Sequence, residues 1–214
     1  MTGAAGFIGG HLAEAALAAG HSVVGVDCLT DYYDPEQKRA RVDQLATHPD
    51  FRFAAADLRT ADLAPLLDGA EVVFHLAGQP GVRLSWSAGF VDYVGHNVLA
   101  TQRLLEAARA TRPQRIVYAS SSSVYGNAPA YPTTEDDLPR PHSPYGVTKL
   151  AGEHLCGLYA ANWGLATVAL RYFTVYGPWQ RPDMGMHRFF TAVREGRPLP
   201  VFGDGEQTRD FTFV

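Results

Sequence analysis

Five short, continuous apolar runs alternate with amphipathic stretches from one end of the chain to the other, and that alternation limits the available folds more than any single residue does. The runs lie at residues 22–27, 51–55, 72–76, 115–120 and 167–172, and helical patterns occupy 7–19, 36–47, 91–110 and 145–163. SVVGVD, EVVFHLA and RIVYAS do not alternate apolar with polar, as expected of strands covered on both faces. The pattern predicts an α/β, Rossmann-type, doubly wound parallel sheet. Beyond Gly177 the prolines at 178, 182, 198 and 200 break the pattern into shorter pieces. The predicted division is a dinucleotide-binding domain over 1–176 and the start of a substrate lobe over 177–214.

Composition removes several function classes. With 18 Lys plus Arg against 22 Asp plus Glu, the chain lacks the basic face that nucleic acid requires. No run approaches the ~18 apolar residues of a membrane span. The small-residue opening TGAAGFIGGHLAEAALAAG has no basic start and is interrupted by Glu14, unlike a signal peptide. Two distant cysteines, Cys28 and Cys156, fit a reducing compartment rather than a disulfide framework. Of the 18 basic residues only Lys38 and Lys149 are lysine, so a lysine inside a motif is worth notice.

Three motifs carry chemistry. Gly3-x-x-Gly6-x-x-Gly9 opens a helix, where glycines permit a tight turn, close backbone approach to a pyrophosphate and close helix–strand packing. A Gly-rich turn alone is a bland feature. Here the next apolar run ends in Asp27, placed for ribose hydroxyls and repulsive to a 2′-phosphate, and Asp57-Leu58 closes the following run at a would-be adenine pocket. Tyr145 and Lys149 share one helix face at i and i+4, so the ammonium is expected to pull the phenol towards the working pH. A surface helix pair is the alternative. Ser120, Ser121, Ser122 and Ser123 end a predicted buried strand, where ligands of such sheets bind. The eight dispersed histidines show no metal-ligand spacing, no metal is expected, and His75 reads as a packed strand histidine. There is no G-x-S-x-G elbow.

TGAAGFIG, Asp27, Asp57-Leu58, HLAGQP, Asn97, SSSSVYG, YGVTK and RYFTVYGP, in this order, resemble the extended short-chain dehydrogenases/reductases that act on nucleotide sugars, the NAD-dependent epimerase/dehydratase family. Within it the chain is similar to UDP-glucuronate 4-epimerases, through DYYD at 31–34, SSSSVYG, GPWQRPDM at 177–184 and VFGDGEQTRDF at 201–211. The resemblance implies NAD held by Gly3, Gly6, Phe7, Ile8, Asp27, Asp57, Leu58, Leu76, Ala77, Gln79, Asn97, Tyr145, Lys149 and Tyr172. It implies Ser121, Tyr145 and Lys149 as the catalytic set, and Arg209 on the diphosphate of a UDP-sugar. Thr174 and Arg181 suit a uronate carboxylate, with Arg83 a weaker candidate and a loop salt bridge the alternative for Arg181. Ser122 and Ser123 stand where related dehydratases and decarboxylases carry carboxylates, which disfavours both chemistries. The resemblance further implies a cytoplasmic homodimer paired through the helices at 91–110 and 145–163. The family pattern begins with a strand ahead of TGAAGFIG and continues past Val214, so a missing first strand and a truncated lobe are expected. The remaining alternatives are a UDP-glucose-type 4-epimerase and a truncated, non-catalytic nucleotide-binding fragment.

Overall fold

A computed structural model describes residues 1–214 except 128–130, 200, 202 and 207. Pro200 and two positions of the 201–211 stretch therefore lie outside the described residues. Five parallel strands make the main sheet: β1 (Val23–Asp27), β2 (Phe51–Ala55), β3 (Val72–His75), β4 (Arg115–Ala119) and β5 (Thr167–Leu170). β1 pairs with β2, and β3–β4–β5 pair in that order. Thr2 bridges Val26 on one side and His75 on the other, joining the two sets. The sheet reads β2-β1-(Thr2)-β3-β4-β5, with the change of winding direction at Thr2.

The expected gap in the sheet is thus partly filled. Thr2 donates to Phe74 O at 2.9 Å and accepts from Leu76 N at 3.3 Å, while Gly3 donates to Val26 O and Val26 to Met1 O, both at 2.8 Å. Residues 1–3 satisfy backbone groups of both neighbouring strands that would otherwise lack partners.

The helices match the expected pattern to within a residue or two, and local chemistry explains their ends. α1 (Phe7–Ala18) begins at Gly6 with no side-chain cap. α2 (Pro35–Ala46) is capped by Asp34, whose carboxylate accepts from Glu36 N. A short α3 (Ala64–Leu67), unforeseen in the sequence, precedes β3. The expected 91–110 helix is α4 (Phe90–Tyr93) and α5 (Ala100–Thr111), joined by a π-helical stretch, Val94–Leu99. α6 (Pro144–Trp163) starts on a Ser143 cap with proline at its first position and stops at Gly164, φ +66°. Past β5, β6 (Thr174–Tyr176) pairs in parallel with β7 (Phe211–Phe213), with α7 (Gly185–Arg194) between them.

The core joins Val26, Leu58 and Val73 to Leu104, Leu105, Ile116, Tyr118 and Tyr159, packing α5 and α6 on the β3–β5 side of the sheet. His75 is buried in it as the sequence suggested, bonded to Thr2 Oγ1 at 2.8 Å and Thr101 Oγ1 at 2.9 Å. Burial above all, with help from Lys149 and the amino terminus, pulls its pKa from 6.5 to about 3. Between those values the unfolded chain binds a proton that the folded chain refuses, so stability falls as pH drops below 6.5. A His75→Asn variant is expected to show a shallower loss of unfolding free energy between pH 6.5 and 4 than the parent, measured by urea titration.

Candidate active site

The C-terminal ends of β1, β3, β4 and β5 open into a single cleft of about 480 Å³ running from Asp27 to Arg181 and Arg209. Its floor depends on a close approach. A Cβ at Gly9 would lie 2.1 Å from Gly3 O, and one at Gly3 (φ +73°) 2.7 Å from Ala77 N, so neither position admits a side chain. α1 therefore aims its uncapped N-terminus into the cleft, an arrangement suited to an anionic diphosphate.

At one end, Asp27 accepts from Ala5 N at 3.2 Å and Leu29 N at 2.9 Å and faces the cleft. Lys38 stands beside it, buried, donating to the Thr30 carbonyl and to Thr30 Oγ1, with Tyr33 4.6 Å under its ammonium. Burial lowers the Lys38 pKa, while Asp27, Cys28 and Asp31 oppose that shift. Sequence reasoning did not place Lys38 in the site, although the scarcity of lysine was the available signal. Asp57 lines the adenine end, but Arg59 forks its carboxylate at 2.7–3.0 Å and holds its pKa low. Cys28, Asp57 and His96 bring possible metal-ligand atoms within 4.8 Å of one another, a grouping hidden by their spacing in the sequence. The Arg59 guanidinium already occupies both Asp57 oxygens, so no metal is assigned there.

At the other end the catalytic candidates meet. Ser121 lies at the β4 end, its Oγ accepting from Ser123 N at 3.1 Å and hydrogen-bonded to Tyr145. Lys149 is buried, its ammonium donating to Ala119 O at 2.9 Å, and burial drops its pKa to about 8. Burial raises the Tyr145 pKa, whereas Ser121 and the Arg181 charge pull it down. The net shift of Tyr145 is upward, because burial outweighs both opposing groups. Behind these groups Ser120 and Arg171 both bond Glu153, and Arg171 stacks on Tyr125 at 4.7 Å, fixing the serine loop.

Gly3, Gly6, Phe7, Ile8, Asp27, Asp57, Leu58, Leu76, Ala77, Gln79 and Tyr172 all line the cleft, as do Thr174, Arg181 and Arg209. Two of the expected site residues, Asn97 and Arg83, are not among those that line the cleft. Asn97 is fully buried one layer back, where it accepts from Gln79 N at 2.7 Å and donates to Gln79 O and Thr148 Oγ1. It positions the Gln79 loop against α6, and the π-helical stretch sets its place. Arg83 sits exposed on a 3₁₀ turn, Arg83–Trp86, and does not line the cleft, although its neighbour Val82 does.

The cleft has the shape and donors of a dinucleotide site: an uncapped helix start, a glycine turn and a carboxylate at the ribose end. Residues 1–214 match the NAD dependent epimerase/dehydratase family. The chain belongs to that family. It is 49% identical over 218 residues to the "Uncharacterized UDP-glucose epimerase YtcB" of Bacillus subtilis, covering all of this chain and 68% of that protein. It is 39% identical over 218 residues to a "Probable UDP-glucuronate 4-epimerase" of Rhizobium meliloti, covering all of this chain and 64% of the relative. A crystal structure of UDP-glucuronic acid 4-epimerase from Bacillus cereus, in complex with UDP-glucuronic acid and NAD, superimposes with a TM-score of 0.96 at 48% identity, over 99% of this chain and 68% of the other. The chain thus spans about two thirds of the length of these relatives.

Among family features, the buried lysine has a cost that titration exposes. Its folded pKa of about 8 lies below the ordinary 10.5, so between those values only the unfolded chain binds the proton and stability rises with pH. Below pH 8 the penalty is on the order of 3 kcal/mol. Lys149→Met is expected to raise the melting temperature of cofactor-free protein by a few degrees at pH 7. That gain should shrink as pH climbs from 8 towards 10. Parallel melting curves across this range would contradict a buried, destabilising ammonium.

Proposed function

We propose that this chain carries the catalytic cleft of an NAD-dependent 4-epimerase acting on a UDP-hexuronic acid, interconverting the glucuronate and galacturonate forms. Residues 1–176 hold NAD, and 177–214 begin the nucleotide-sugar lobe. The observation that carries this reading is Arg181 in the same cleft wall as Ser121, Tyr145 and Thr174, with serines and no carboxylate in the 120–123 loop.

NAD when bound supplies a reversible hydride acceptor, and the residues that would hold it are those at the Asp27 end together with Lys149. Tyr145 as phenolate takes the proton of the sugar 4-hydroxyl at its Oη, and the C4–H hydride leaves with that step, giving a 4-keto sugar. Ser121 orients the reacting oxygen through its hydroxyl. The sugar then turns its other face, and Tyr145 returns the proton as the hydride comes back to C4, so no net oxidation results. A 4-keto uronate is a β-keto acid prone to losing CO₂. Thr174 and Arg181 hold its carboxylate, which retains it. With Ser122 and Ser123 in the loop, the acid and base that loss of water requires are missing.

Incubation with UDP-glucuronate is expected to yield UDP-galacturonate without net NADH, read by chromatography. A UDP-pentose would instead make decarboxylation the reaction, and turnover confined to UDP-glucose would favour the chemistry named for the Bacillus subtilis relative. Arg181→Ala is expected to weaken UDP-glucuronate binding at least about tenfold more than UDP-glucose binding. Equal losses would remove the uronate assignment.

A homodimer is part of this reading. Val91, Val94, Val147 and Leu158 are exposed on α4, the π-helical stretch and α6, an apolar face suited to a four-helix pairing. Val91→Glu with Leu158→Glu is expected to halve the mass seen by light scattering. The free thiols Cys28 and Cys156 agree with a cytoplasmic location, and no described helix is long and apolar enough to cross a membrane.

A further inference from the structure

The loop that follows Asp27 does more than close the ribose end of the cleft. Five residues on, Tyr32 crosses to the sugar end, where its hydroxyl donates to Asp183 Oδ2 at 3.0 Å. The same Asp183 carboxylate takes a fork from Arg181, Nε to Oδ1 at 2.9 Å and Nη2 to Oδ2 at 3.1 Å. That pair uses one edge of the guanidinium and leaves Nη1 and the outer N–H of Nη2 outside it, in a residue that lines the cleft. The Arg181 side chain is only 22% exposed, so its direction is set by its partners rather than by solvent.

Tyr32 is itself wedged in place. Gly81 adopts φ +94°, and a Cβ there would lie 2.6 Å from the Tyr32 hydroxyl. The Gly81 carbonyl is held by the Tyr93 hydroxyl at 2.6 Å, and the Tyr93 ring meets Tyr145 edge-on at 6.1 Å between centroids. Tyr32, Asp183 and Arg181 therefore close a ring of contacts around the mouth of the cleft, returning to the catalytic tyrosine. The loop salt bridge weighed for Arg181 is present.

We propose that Tyr32 is a positioning residue for substrate selection: through Asp183 it holds the free edge of Arg181 towards the sugar carboxylate, tying the cofactor-binding loop to the uronate end of the cleft. This rests on the uronate reading above. Removing the Tyr32 hydroxyl leaves Asp183 and Arg181 charged but free to swing, so the loss falls on substrates with a carboxylate and on retention of the 4-keto acid.

The test uses NAD-loaded protein and measures Kd for UDP-glucuronate and UDP-glucose, with the share of UDP-pentose among the products of UDP-glucuronate. Tyr32→Phe is expected to weaken UDP-glucuronate about tenfold, leave UDP-glucose within about twofold and raise the UDP-pentose share. Asp183→Asn is expected to reproduce this pattern as a second route to the same fault. In an Arg181→Ala background Tyr32→Phe should cost nothing further, because its effect passes through the arginine. Equal weakening of both sugars, no weakening of either, or losses that add in the double variant would each overturn the proposal. If Arg181→Ala alone weakened both sugars equally, the uronate reading would fall. The double-variant comparison would then still decide whether Tyr32 acts through Arg181.

Discussion

The contact between Gly9 and the Gly3 carbonyl is the constraint on which the rest of the site depends. It draws α1 down onto the point where the sheet reverses its winding, closer than any side chain would permit. From that approach follow the position of the α1 N-terminus, the open space above Gly3 and the distance from there to the ends of β3 and β4. Thr2 in the sheet and Gly3 in the turn are adjacent, so the join between the two halves of the sheet and the floor of the cleft are one feature.

Two layers of polar support surround this floor. Asn97 ties the Gln79 loop to Thr148, one residue before Lys149, and so joins the loop over the cleft to α6. Glu153, one turn further along α6, receives Ser120 and Arg171 and fixes the serine loop to the same helix. α6 thereby carries Tyr145 and Lys149 on the face that also anchors both neighbouring loops. The π-helical stretch that sets Asn97 fits a position serving a site rather than a helix optimised for its own hydrogen bonds.

The charges are arranged at the expense of stability. Lys149 is held charged in a dry position against the Ala119 carbonyl, and His75 is kept neutral below its ordinary pKa; burial also raises the Tyr145 pKa, which costs nothing at neutral pH. Ser121 and Arg181 act on Tyr145 in the direction opposite to burial, so the arginine proposed for the substrate carboxylate also bears on this phenol. On the proposed reading, binding and proton transfer share one cation at this end of the cleft.

Much of this was legible in the sequence, because continuous apolar runs, glycine spacing and i, i+4 pairing are local signals with local physics. The β-runs, the four long helices, the glycine turn, Asp27 and the Tyr145–Lys149 pair all depend on residues near one another in the chain. What the sequence left open required contacts across the fold. Asn97 was expected to hold the cofactor and Arg83 was the weaker carboxylate candidate, yet Asn97 packs behind the cleft and Arg83 sits on an exposed turn that does not line it. Lys38, Glu153 and the grouping of Cys28, Asp57 and His96 carry no motif, since their partners are set by how strands and helices stack. The linkage of Tyr32 to Asp183 spans 151 positions and crosses from a β1 loop to the outer lobe. Local spacing determined which elements form; only the tertiary structure decided which side chains face one another across the cleft, because burial and charge act through space.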